Sequence, residues 1–181
     1  MRCKWVNEKN EIYIKYHDEE WGIPSYDDKY LFEMLILESF QAGLSWECIL
    51  NKRENFREAF DNFDYKKISN YDEKKIEKLK NNAGIVRNGR KIIAAINNAK
   101  IFIQIQKEFG SFSKYIWGFT NGEVIKNIDD NFVTTSSLSD AVSKDLSKRG
   151  MKFVGSTIIY SYLQAIGIIN DHELSCDWYN K

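Results

Sequence analysis

The chain of 181 residues contains a single proline, two histidines and three cysteines, and its 26 basic residues balance its 26 acidic ones. Each scarcity removes a class of protein. With one proline and several uninterrupted periodic segments, little breaks a helix, which predicts an all-α fold. An odd, small number of cysteines does not build a disulfide scaffold. No apolar run approaches the ~20 residues of a membrane span and no secretory segment follows Met1, so a soluble, cytoplasmic protein without a membrane partner is expected. A net charge of zero gives the chain as a whole no pull toward a polyanion. There is no internal repeat, and the length suits one domain, 1–181, divisible into two lobes.

What is present is concentrated. Leu31 to Trp46, LFEMLILESFQAGLSW, is apolar nearly all round, as a buried central helix must be. That helix is expected from about Asp27, its N-cap, to Gly43. The only charges between Leu31 and Trp46 are Glu33 and Glu38. Leu31, Leu35, Glu38 and Ala42 share one face, so Glu38 lies among core residues. A carboxylate there costs several kcal/mol unless it is paired, hydrogen-bonded or facing a cavity. A structural acid held by backbone N–H groups or an arginine suits the pattern as well as a functional one. Gly43 then ends the helix, and Ser45 caps a second one expected to reach about Phe60. Leu44 and Trp46 are left on a tight turn.

Charge is balanced in total but uneven along the chain. Residues 74–100 carry eight Lys or Arg against one Glu, and residues 1–46 carry nine acids against five bases. A basic stripe on an acidic background is the form of a localised phosphate-binding surface, and equally of solvated helix faces. Within it, a short helix after Asp72 reaches Leu79, a turn occupies Ala83 to Val86, and a helix capped by Asn88 runs to about Gln106. Gly84 and Ile85 at the turn, with Arg87, Arg90 and Lys91 beside them, give a helix-hairpin-helix outline over about 72–106. It suits a grip on DNA phosphates, and an ordinary αα-hairpin shares it. Residues 1–25 read as an extended or short-helical arm. A short helix over about 109–119, an irregular loop over 120–137, a helix capped by Ser139, a basic knuckle over 148–152 and an apolar helix capped by Ser156 complete the chain.

The two histidines and two of the cysteines lie near the chain ends: Cys3 and His17, then His172 and Cys176. Two thiolates and two imidazoles fill a closed tetrahedral Zn2+ site, whose role would be to clip arm to tail. The spacing is not that of a zinc finger, and two unrelated polar histidines fit it too. Cys48, inside a helix, reads as core. Seven of the fifteen Trp and Tyr residues fall within the first 46 positions: Trp5, Tyr13, Tyr16, Trp21, Tyr26, Tyr30 and Trp46. If several line a cavity around Glu38 rather than the core, they form a slot for a flat, cationic ring.

The segments RCKW, YIKYHDEEWGIP, LFEMLILESFQAGLSW, KRENFREAF, AGIVRNGRKI and KRGMKFVGSTIIYSYLQAIGIINDHELSC closely resemble the bacterial 3-methyladenine DNA glycosylase I family. The resemblance spans roughly residues 2–176 and is weakest over 120–137. It implies the two-lobed helix-hairpin-helix glycosylase fold, with the base pocket between the lobes. It implies excision of 3-methyladenine from double-stranded DNA, with the free base as product, by a monomer carrying one structural Zn2+ on Cys3, His17, His172 and Cys176. Glu38 matches the acid that contacts the extruded base, Tyr16 its hydrogen-bonding neighbour and Trp46 the stacking partner, with Trp5, Tyr13 and Trp21 as further pocket aromatics. Leu44, after Gly43, matches the tip that wedges into the duplex. Gln41 approaches the gap, and residues 83–91 match the hairpin. The chain departs from the wider superfamily in having no Asp between Asp72 and Asp129. No lysine stands where Schiff-base chemistry would need one, which implies hydrolysis without strand cleavage. The competing classes are a zinc-clipped DNA-binding module without chemistry and a helical interaction protein whose aromatics are all core.

Overall fold

The apolar run folds as the pattern dictates. In the computed structural model, which describes residues 1–129 and 131–180, it forms helix α2 (Asp28–Gln41). Asp130, within the predicted loop, and Lys181 lie outside the described residues. The Asp27 carboxylate accepts hydrogen bonds from the Lys29 and Tyr30 N–H groups, both at 3.3 Å, and so starts the helix. Leu31, Phe32, Met34, Leu35, Ile36, Leu37 and Phe40 have no exposed surface, and each stabilises the fold by roughly 2 kcal/mol on burial.

Nine further helices surround it. They are α1 (Glu11–Glu19), α3 (Trp46–Leu50), α4 (Arg53–Ala59), α5 (Tyr65–Ile68), α6 (Glu73–Lys80), α7 (Gly89–Phe109), α8 (Phe112–Gly118), α9 (Ser137–Lys148) and α10 (Ser156–Ala165) among the described residues. Helices α3, α7, α8 and α10 pack directly on α2. Phe32, Phe102 and Phe112 form one aromatic seam between α2, α7 and α8, and Phe40, Phe56, Phe60 and Phe63 form another beneath α4. No helix among the described residues is long and apolar enough to cross a membrane.

Local capping explains where several boundaries differ from expectation. The helix expected from Ser45 to Phe60 is two, parted at Asn51 and Lys52. The break turns Arg53 inward, where its guanidinium meets Glu33 at 2.6 Å and Glu20 at 2.8 Å. Ser139 is not the cap of α9. Ser136 is, and Ser139 answers it from the third helical position, the two closing a capping box at 3.1 and 2.8 Å. Gly155, not Ser156, precedes α10, because the Ser156 hydroxyl is engaged with Ser139 Oγ at 2.8 Å and ties α10 to α9. Part of the predicted loop joins the tail in the one strand pair among the described residues. Strands β1 (Ile125–Lys126) and β2 (Ile169–Asn170) pair in parallel, Ile125 opposite Ile169.

The arm before α2 is laced to the end of α10. Gly22 N–H donates to the Gln164 carbonyl and Ser25 N–H to that of Ile166, at 2.9 and 3.0 Å. The contact is so close that a Cβ built on Gly167 overlaps the backbone of Ile23 and Pro24, and Gly167 holds φ at +75°. Gly167→Ala is therefore expected to destabilise the protein by about 3 kcal/mol or more in urea denaturation, with Gly118→Ala, whose Cβ meets nothing, as the tolerated control.

Candidate active site

The two acids of α2 meet opposite fates. Glu33 is buried but satisfied: its Oε1 accepts from Arg53 Nε at 2.6 Å and Arg57 Nε at 2.9 Å. Glu38, only 2 % exposed, has an Oε2 without a hydrogen-bond partner. Among the described residues just three buried side-chain polar atoms are unpartnered, and they are Glu38 Oε2, Trp46 Nε1 and His172 Nε2. Buried polar groups are otherwise satisfied nearly everywhere in proteins, so such a set marks places built for something else.

Glu38 and Trp46 face one cleft of about 460 Å3. Its walls include Trp5, Tyr13, Tyr16 and Trp21 from the arm and α1, Gln41 from the end of α2, and Asp171 and Glu173 from the tail. Trp5 lies edge-on to Tyr13 and Trp21, with centroids 5.2 and 4.8 Å apart, and Tyr16 sits 5.3 Å from Trp46. All four aromatics expected beside Glu38 and Tyr16 are thus gathered into one slot. Tyr26 and Tyr30 are not. Tyr26 stacks on Trp117, and the Tyr30 hydroxyl donates to Glu20 at 3.2 Å. Burial drives the Glu38 carboxyl well above the ordinary carboxylate range, and burial followed by the nearby Glu38 does the same to the Tyr16 phenol. The slot offers π-faces, a phenol that keeps its proton and an acid that gains from a cationic partner.

Behind the slot, Cys3, His17 and Cys176 bring their ligand atoms within 4.8 Å of one another. His17 Nε2 is 3.5 Å from Cys176 Sγ. The His172 ring lies edge-on to His17 at 5.0 Å, with its unpartnered Nε2 buried. Both imidazoles are oriented through Nδ1: that of His17 by Asp18 Oδ1 and that of His172 by Asn170 Oδ1, each at 2.8 Å. Orientation through Nδ1 turns both Nε2 atoms toward the cysteines, that of His172 unpartnered and that of His17 accepting a long bond from Cys3 N–H at 3.4 Å, the arrangement that outer-shell partners give to metal-binding histidines. Burial lowers both histidines, His172 to about 4, which keeps them in the neutral form a cation binds, and raises the Cys3 thiol to about 12. Asp18 and Asn170 were not singled out in the sequence. Their adjacency to the two histidines was the available signal. The group supports the slot directly, since Trp5 packs on His17 at 5.4 Å and Trp21 on His172 at 4.7 Å.

The turn after α2 projects outward. Gly43 holds φ at +81° with open space around it, and Leu44 is 42 % exposed. At the hairpin, Arg87 and Arg90 reach solvent, while the Ile85 side chain is core. Gly84 N–H is taken by Asn82 Oδ1 at 2.8 Å, and the Gly84 carbonyl accepts from Asn55 Nδ2 at 3.2 Å. Lys91 departs from expectation. It is buried, and its ammonium donates to the Phe40 and Ala42 carbonyls rather than facing a phosphate.

Residues 5–180 match the family model described as methyladenine glycosylase. The chain is 45% identical to DNA-3-methyladenine glycosylase 1 of Escherichia coli over 98% of this chain and 96% of that one. It is 42% identical to the DNA-3-methyladenine glycosylase of Haemophilus influenzae, over 97% and 96%. A solved structure of 3-methyladenine DNA glycosylase I from Staphylococcus aureus, on 3-methyladenine recognition, superposes with a TM-score of 0.94 at 35% identity, over 99% of this chain and 97% of that one.

The unpartnered Glu38 makes a prediction about stability. Its folded-state pKa is raised, so the native state keeps a proton that the unfolded chain releases near the ordinary value of 4.5. Wild-type stability contributed by this group is therefore complete below that pH and lost as pH rises. Glu38→Gln should gain stability relative to wild type as the pH is raised above 4.5 in urea denaturation. A difference that stays constant over that range contradicts an unpaired buried acid.

Proposed function

The chain belongs to the methyladenine glycosylase family, and on that premise we propose that it excises 3-methyladenine from alkylated double-stranded DNA by hydrolysing the N-glycosidic bond. The observation that carries the reading is Glu38, a buried acid without a partner at the floor of an aromatic slot. Methylation at N3 makes the base a cation and weakens its bond to the sugar, so the site has little need to protonate the leaving group. Its task is to take the base out of the stack, at a cost of a few kcal/mol, and to favour a positive ring over a neutral one.

The roles follow from placement. Leu44 enters the duplex and Gln41 lines the gap. Trp46 stacks on the extruded ring, with Trp5, Tyr13 and Trp21 closing the slot. Tyr16 and Glu38 read the ring's edge, and the negative charge that costs Glu38 stability in the free pocket becomes favourable beside a cation. Water completes the hydrolysis at the sugar. Arg87 and Arg90 grip the phosphates beside the Gly84–Ile85 turn, the hairpin of the helix-hairpin-helix fold, α6 and α7 being its two helices. No amine is nominated as a nucleophile. Lys4, at the slot's rim, pairs with Glu173 at 3.5 Å, and the Lys91 ammonium is occupied by carbonyls.

Cys3, His17, His172 and Cys176 would hold one Zn2+, which supplies a tie between arm and tail and takes no part at the base. Support comes from the orphaned His172 Nε2 and from the His17–Cys176 separation of 3.5 Å, since tetrahedral Zn–N and Zn–S bonds set these atoms about 3.6 Å apart.

The deciding measurement is release of 3-methyladenine from methylated duplex DNA by wild type and Glu38→Gln side by side. Release by wild type with a loss of roughly tenfold or more in the variant is expected. No release by a folded wild type would overturn the enzyme in favour of a DNA-binding module, and nicking of the DNA would overturn hydrolysis. Elemental analysis should find one zinc per chain, lost in Cys176→Ser with a fall in Tm of about 10 °C or more. A wild-type protein that folds and works without zinc contradicts the tie.

A further inference from the structure

Lys91 is the third residue of α7, yet its side chain runs inward and is 6 % exposed. Its Nζ lies 2.8 Å from the Phe40 carbonyl and 2.6 Å from that of Ala42. These are carbonyls of the last turn of α2 and of the residue that leaves it. Helix α2 has no basic residue in its own last turn, and Ala42 departs at ψ 113°. A cation supplied from another helix thus satisfies the orphan carbonyls and the negative end of the dipole.

A cap alone does not require a buried lysine, and desolvation works against it, lowering the Lys91 pKa. What the lysine adds is a fixed link between two elements. The turn beyond it is otherwise thinly held. Gly43 has nothing around it, and Leu44 N–H folds back only to the Gln41 carbonyl, at 2.6 Å. The same helix fixes a second segment. Asn98, seven residues on and so on the same face, exchanges hydrogen bonds with the backbone of Lys152 at 2.8 and 2.9 Å. Asn97 donates to the Gly150 carbonyl at 2.9 Å, and the Lys91 ammonium lies 5.9 Å from the Phe153 ring.

We propose that Lys91 is a positioning residue, which holds the Ala42–Leu44 turn on the hairpin helix so that phosphate grip and wedge keep one fixed register. The inference rests on the glycosylase reading and adds a residue that acts on the duplex step without touching the base. Removing the ammonium frees the turn while leaving the slot intact, and displacement of a wedge by about 1 Å is enough to cost a large factor in rate.

The test is single-turnover release of 3-methyladenine from methylated duplex, with affinity for free 3-methyladenine read by tryptophan fluorescence. Lys91→Met should lower the duplex rate roughly tenfold to hundredfold while base affinity changes by less than about twofold. In a Leu44→Ala background, Lys91→Met should have little further effect, because the part it positions is gone. An unchanged duplex rate, a base affinity that falls in step with the rate, or fully additive losses with Leu44→Ala would each overturn the proposal. If Lys91→Met does not fold, Lys91→Gln, which keeps one donor group, is read against the same outcomes. No release by wild type overturns the glycosylase reading, and this proposal with it. Release by wild type and an unimpaired variant overturns only the role of Lys91.

Discussion

Taking α2 out of water on every side is the constraint that the rest of the molecule answers. A helix apolar all round cannot lie on a surface, so α3, α7, α8 and α10 must cover it. That burial turns any charge on it into a structural problem, and the two acids show two solutions. Glu33 is met by Arg53 and Arg57, and the cost of its desolvation is offset by close, charge-assisted hydrogen bonds. Glu38, five residues later, has no such partner and opens on a cleft. The same helix therefore holds a paired acid and an unpaired one, and only their surroundings tell them apart.

The division between what the sequence revealed and what it hid follows the reach of each interaction. Asp27, Ser45 and Asn88 are readable as caps because a cap bonds N–H groups two or three residues away. The central helix was readable from its apolar period. The cap of α9 is not legible because Ser136 and Ser139 are both caps by type, and only geometry decides which residue starts the helix. The break at Asn51 depends on Arg53 reaching Glu20, 33 residues away, and periodicity carries no trace of that. Lys91 stands beside Arg87 and Arg90, which suggests a shared outward face, yet its partners lie 49 and 51 residues back. The slot itself was legible as a concentration of aromatics, but not its membership: Tyr26 and Tyr30 are as close in sequence and serve the core and surface instead.

Helix α7 is the second organising element. It covers α2 with its apolar face, carries Arg90 at its start with Arg87 just before its cap, and anchors two surface segments through Lys91, Asn97 and Asn98. Polar groups on a buried face restrict how helices slide past one another, since each must keep its partner. The relation between the hairpin and the end of α2 is thereby set by hydrogen bonds rather than by apolar packing alone.

The Cys and His side chains behind the slot have a consequence in time. His17 and Cys176 are 159 residues apart in the chain, and the wall formed by Trp5 and Trp21 rests on His17 and His172. At a synthesis rate of about 5 to 20 residues per second, roughly 8 to 30 s separate the two ends on the ribosome. For most of that interval the nascent chain owns Glu38 but not the tail that completes the pocket around it. The excision proposed for this site is then a property of the finished molecule alone: an unfinished copy, or one clipped at either end, has an acid without a slot.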